Sequence, residues 1–165
     1  MKKGFTLIEM VIVAAILGIL LSISYINFTR FSVKSKIEST ADEIASMLRD
    51  TYENGNKGMN FKDYYIEINK NDKKVYLKNQ NNTIREADIK DFEFIIEGQT
   101  INTSNNYIYF SPNAEIFLSH VKLEEDYDYK DIDDKKFSDI VIKKSENISK
   151  KIHIDEVPSG NITVE

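Results

Sequence analysis

The hydrophobic rhythm of the chain divides it into three stretches. After Lys2 and Lys3, residues 5–29 run with a single charged side chain, Glu9. A run of this length reads as a helix able to cross a bilayer, which takes about 20 apolar residues. The two lysines ahead of it hold the leading end on the cytoplasmic side. From Phe28 to Asn54 there is neither proline nor glycine. Apolar or small residues recur at Ile37, Ala41, Ile44, Leu48 and Tyr52, with Met47 and Thr51 beside them. That is the spacing of one helix face. Lys36, Glu38, Asp42, Glu43, Arg49 and Asp50 fill the other positions. Asn54-Gly55-Asn56 supplies a stop, because Gly and Asn accept the left-handed conformation that closes helices. The pattern predicts one helix from Phe5 to Asn54, roughly 75 Å long at 1.5 Å per residue.

Beyond Gly58 the period falls from 3.6 to 2. Tyr64–Ile68 alternates, Asn69–Lys73 is turn-like and Val75–Leu77 resumes, which predicts a β-hairpin. Further strands are expected at Phe92–Glu97, Tyr107–Phe110, Glu115–Leu123, Ile140–Lys143, Lys151–Asp155 and Asn161–Val164. Gly98, Ser111-Pro112-Asn113 and Pro158-Ser159-Gly160 separate them as turns. Both prolines fall in these turns, as a strand-rich region requires. The expected fold class is α+β: a long N-terminal helix, apolar in its first half, packed on an antiparallel sheet or sandwich. Four segments follow: a basic leader at 1–4, an apolar helix at 5–31, an amphipathic continuation at 32–54 and a β-rich globular domain at 55–165.

Composition narrows the function classes. The formal charge is −5, or −7 once Lys2 and Lys3 are removed, so the domain repels phosphate backbones and direct nucleic-acid contact is not expected. There is no cysteine, so stability outside the cell must rest on the core alone. No Ser-His-Asp or Cys-His spacing supports nucleophilic catalysis. His120 and His153 are the two histidines, and His153 sits between Ile152 and Ile154 on the outward face of a strand. The acidic run from Glu124 to Asp134 offers Asp126, Asp128 and Asp131 as weak calcium ligands. An EF-hand register from Asp126 fails, with Asp131 where Gly is needed and Phe137 where Glu is needed. The ordinary reading is a solvated loop with alternating tyrosines. No cofactor is expected.

A secretory signal peptide carries its small-residue cleavage site after the apolar core. Here Gly4 precedes that core, in Lys3-Gly4-Phe5-Thr6-Leu7-Ile8-Glu9. This motif resembles the class III signal of type IV pilins and type II secretion pseudopilins. The resemblance implies cleavage after Gly4 by a membrane prepilin peptidase, N-methylation of Phe5, and a role for Glu9 in assembly. It implies other pilin subunits and a cytoplasmic-membrane assembly platform as partners. It places the chain first as a single-pass membrane protein and then in an extracellular pilus or periplasmic pseudopilus. The C-terminal half is similar to minor pilins of the H-type (FimT-like) group, through Tyr107–Pro112, Ile152-His153-Ile154 and Gly160–Val164. It departs from them in Asn113-Ala114, where a glycine is usual, and in a long acidic segment from His120 to Lys136. The implied function is a minor type IV pilin. The alternatives are a major pilin, a pseudopilin for secretion or DNA uptake, and a membrane-anchored enzyme or adhesin with a β ectodomain.

Glu9 carries its own physical argument. A carboxylate near the centre of a bilayer-spanning helix costs about 2.5–3.5 kcal/mol, less near its edge, and such a residue usually has a partner or a function. Two partners suggest themselves: the freed amine of Phe5 one turn away, or the same amine on a neighbouring copy. The resemblance implies the second.

Overall fold

The computed structural model describes residues 6–58, 60–101, 105–124, 126, 128–129, 132, 135–155 and 161–165. One α-helix, α1 (Leu7–Gly58), is followed by nine strands: β1 (Tyr64–Asn69), β2 (Lys74–Asn79), β3 (Asn82–Asp88), β4 (Glu93–Ile96), β5 (Asn105–Phe110), β6 (Ile116–Ser119), β7 (Asp139–Ser145), β8 (Ile148–Ile154) and β9 (Ile162–Val164). The chain divides into two compact units, residues 1–36 and residues 37–165.

From Leu7 onward the first unit is the opening part of α1. Its large apolar side chains from Leu7 to Phe31 are exposed. A helix apolar all round is suited to a bilayer or a packed bundle. Three of its hydroxyls are satisfied internally: Ser22 Oγ donates to Gly18 O at 2.8 Å, Ser24 Oγ to Leu20 O at 2.9 Å and Thr29 Oγ1 to Ile26 O at 2.9 Å. Internal satisfaction is what a helix in lipid requires of its polar groups.

The second unit packs the rest of α1 on two antiparallel sheets. The five-stranded sheet has the order β3-β2-β1-β5-β6 and the four-stranded sheet β4-β7-β8-β9. The stripe predicted from sequence is the buried face: Ile37, Ala41, Ile44 and Leu48 are buried with Met47 and Thr51, and Tyr52 packs half-buried against the core. Alternate residues of both sheets meet it, among them Ile66, Ile68, Ile108, Ile140, Ile142 and Ile152. Alternation of side chains along the strands thus turns one face of each sheet toward this core. Ion pairs fasten the helix edges, with Arg85 Nη1 at 2.8 Å from Asp50 Oδ2 and Lys150 Nζ at 3.4 Å from Glu38 Oε1. Arg49 also donates to the carbonyl of Ile162.

Three features differ from the sequence expectation. The helix runs to Gly58 instead of ending at Asn54. Gly55 is helical and buried, and a Cβ placed on it would lie 2.8 Å from Phe61 Cδ1. The glycine therefore serves close packing against Phe61, and the helix closes through Asn60 N donating to Gly55 O at 3.1 Å. The strand β3, absent from the sequence reading, is polar because it forms an exposed sheet edge. The acidic segment is not simply solvated. Leu123 and Ile132 are buried and Tyr129 half-buried against Tyr65, Tyr109 and Phe117, on the outer face of the five-stranded sheet. Tyr109 accepts a hydrogen bond from Leu123 N at 3.1 Å, and burial pushes its hydroxyl well above the usual tyrosine range.

The expected hairpin is β1–β2, in register from Tyr64↔Asn79 to Asn69↔Lys74. The expected C-terminal hairpin is β8–β9, pairing Ile152↔Val164 and Ile154↔Ile162. The turn predicted at Pro158-Ser159-Gly160 lies outside the described residues.

Candidate functional site

The start of α1 is built by two side chains. Thr6 N and Thr6 Oγ1 each donate to Glu9 Oε2 at 2.7 Å, and Glu9 N donates back to Thr6 Oγ1 at 3.4 Å. This is a capping box, in which the residue before the helix and the residue three positions on satisfy each other's orphan groups. Glu9 therefore has a partner that the sequence reading did not consider, besides the Phe5 amine of its own chain or of a neighbour. The signal was present, because Thr6-Leu7-Ile8-Glu9 ahead of an apolar run is the sequence form of that box. The carboxylate also stands in the first turn, where the helix dipole favours negative charge. Gly4 and Phe5 lie outside the described residues.

α1 is long and apolar enough to cross a membrane. Among the described residues, every exposed large hydrophobic side chain except Ile84 and Val121 lies between Leu7 and Phe31. The apolar surface is thus concentrated on the helix that carries Glu9, and it is available to lipid or to copies of the same helix.

Asp126 and Asp128 are exposed, Asp131 lies outside the described residues, and no group of three or more His, Asp or Glu side chains suited to a metal occurs among the described residues.

His153 belongs to a charged cluster on the four-stranded sheet. Its Nδ1 is 2.7 Å from Asp139 Oδ1 and its Nε2 3.4 Å from Asp155 Oδ1. Lys151 Nζ is 2.9 Å from Asp139 Oδ2 and 3.9 Å from Glu97 Oε2. The Asp139 hydrogen bond raises the His153 pKa above the ordinary histidine range. Burial pushes the Asp139 carboxyl upward, but the hydrogen bonds from His153 and Lys151 outweigh it and leave the pKa lowered. His153 and Asp139 are cross-strand partners in β8 and β7, so these contacts tie the two strands together. His120 stands apart, with Nδ1 3.1 Å from Asn106 Oδ1.

Residues 1–25 match the prokaryotic N-terminal methylation motif. The match covers the basic leader, Gly4, Phe5, the Thr6–Glu9 box and most of the exposed apolar helix. No curated protein and no solved structure matches the chain.

Proposed function

We propose that the chain is a minor type IV pilin, acting by assembly rather than catalysis. Prepilin peptidase cleaves after Gly4 and methylates the amine of Phe5. Residues 5–31 hold the precursor in the cytoplasmic membrane, with the leader in the cytoplasm and the β domain outside. An assembly platform then draws the helix from lipid into a filament at the cell surface. Lipid tails are as apolar as the helix, so the transfer loses no hydrophobic stabilisation if neighbouring helices cover the same side chains.

The observation that supports the pilin part of this reading is a coincidence within one stretch. The methylation motif over residues 1–25 overlaps a helix that exposes apolar side chains from Leu7 to Phe31, and Glu9 is the carboxylate among them. A signal peptide removed whole would leave no such helix on the mature protein.

Sheared surface filaments from cells with and without the gene test the role. A minor pilin is present as a small fraction of the filament, and its deletion lowers filament number. Finding the chain as the bulk of the filament makes it the major pilin. Its absence from filaments, with filament number unchanged on deletion, rejects the reading.

A further inference from the structure

A polar hollow of about 760 Å³ opens where three connections meet: the one leading from α1 into β1, the turn between β2 and β3, and the chain after β6. Its size falls within the range of small-ligand clefts, about 300–1,000 Å³. Three primary amides line it, Asn60, Gln80 and Asn81, with Lys62, Lys122, Asp63 and Glu124. Two ammonium and two carboxylate groups leave the hollow without net charge, on a chain of −5. Leu123 is the apolar side chain among its described lining residues, and it is buried.

The turn at its centre is pinned by hydrogen bonds from both sides. Gln80-Asn81 joins β2 to β3, and Gln80 takes a left-handed φ of 55°, which Gly or Asn adopts at lower cost. Gln80 N donates to Asp63 O at 2.6 Å. Gln80 O accepts from the Tyr65 hydroxyl and, at 3.1 Å, from Lys122 Nζ. Lys122 Nζ also donates to Asn81 Oδ1 at 2.6 Å and lies 5.3 Å from the centre of the Tyr65 ring.

These contacts fix which end of each amide is used. An ionised carboxylate only accepts and an ammonium only donates. Asn60 Nδ2 donates to Asp63 Oδ2 at 2.7 Å, and Gln80 Nε2 to the same oxygen at 3.4 Å. The carbonyl ends, Asn60 Oδ1 and Gln80 Oε1, are therefore left as acceptors. Lys122 holds Asn81 by its carbonyl end, so Asn81 Nδ2 is left as a donor.

We propose that this hollow binds an uncharged saccharide. Each sugar hydroxyl both donates and accepts, and the fixed amide ends present acceptors beside a donor. The balanced charge gives no preference for an anion or a cation. The lining supplies neither the apolar groove nor the one-signed charge cluster that receives peptides. Groups already pinned by the turn lose little freedom on binding, which favours affinity.

The test uses the full chain in micelles of a detergent without a sugar headgroup. Saturation-transfer NMR titrations with maltotriose, cellotriose and triacetylchitotriose read the binding. Trigalacturonate, of similar length but anionic, and a capped Gly-Ser-Asn-Ser-Gly peptide serve as comparisons. At least one neutral trisaccharide should bind saturably, and neither comparison should. Gln80→Gly combined with Asn81→Ala removes the two turn side chains, and glycine suits the left-handed φ. That variant should weaken binding at least tenfold, with the domain still folded in thermal melts. Asn60→Ala, outside the turn, should weaken binding independently. Failure of all three trisaccharides to bind overturns the proposal. Undiminished binding by both variants overturns the placement, and equal binding of trigalacturonate or of the peptide overturns the choice of ligand.

Discussion

Glu9 is held by Thr6 through two hydrogen bonds of 2.7 Å, one from its backbone and one from its hydroxyl. The carboxylate that resembles an assembly determinant therefore also starts the helix. The two roles separate chemically. Glutamine closes a capping box as glutamate does, but it carries no charge to attract an amine.

Glu9→Gln should leave helix content and membrane insertion as in the wild type, and should lower incorporation into filaments. Glu9→Leu removes both roles, and should loosen the first turn of the helix as well as lower incorporation. Circular dichroism in micelles and immunoblots of sheared filaments read the two effects. Normal incorporation of Glu9→Gln would assign the residue to capping alone.

The buried stripe of α1 makes the β domain dependent on the helix. Leu48 is fully buried in the core. Leu48→Ala should cost about 2–5 kcal/mol. Ile44→Asp should unfold the domain, since it buries an unpaired charge. Thermal melts of the full chain in micelles measure both, and unchanged midpoints would mean that the helix does not pack on the sheets.

Gly55 and Gly58 should respond oppositely to alanine. Alanine in place of glycine within a helix gains about 1 kcal/mol. At Gly55 the added methyl would meet the Phe61 ring at 2.8 Å, and overpacking of this kind costs about 1–3 kcal/mol. Gly55→Ala should therefore lower the melting midpoint. Gly58 has open space around it, so Gly58→Ala should hold or raise the midpoint.

The His153–Asp139 pair gives the domain a pH signature. His153 has a folded pKa raised above 6.5, so its stabilisation is full below that value and is lost as pH rises through the folded pKa. Asp139 has a pKa lowered below 3.8, so its stabilisation is full above that value and is lost as pH falls through the folded pKa. The difference in melting midpoint between wild type and His153→Gln should be largest near pH 5 and should shrink toward pH 9. A difference independent of pH would show that the pair is not charged in the fold.

Much of the architecture was legible because it is written in local period. The Ile37-to-Tyr52 stripe and the β1–β2 hairpin are runs whose spacing has one reading. β3 escaped because an edge strand is polar and carries no alternation to detect. Gly55 was misread because a glycine needed for a side-chain contact looks, in sequence, like a glycine needed for a turn. The cover formed by Leu123, Tyr129 and Ile132 escaped because its apolar anchors are spaced irregularly among acids. The pairing of His153 with Asp139 is a contact across strands, which sequence alone does not place. The N-terminal methylation motif was legible because its information lies in adjacent residues, and the capping box within it was missed because Thr6 was not read as a partner of Glu9.

The account stands most directly on the mature N-terminus. Mass spectrometry of the protein from membranes of cells with active prepilin peptidase should show a chain that begins at N-methylated Phe5, with residues 1–4 absent. A protein that retains Met1, or that has lost the apolar helix through Phe31, would contradict it.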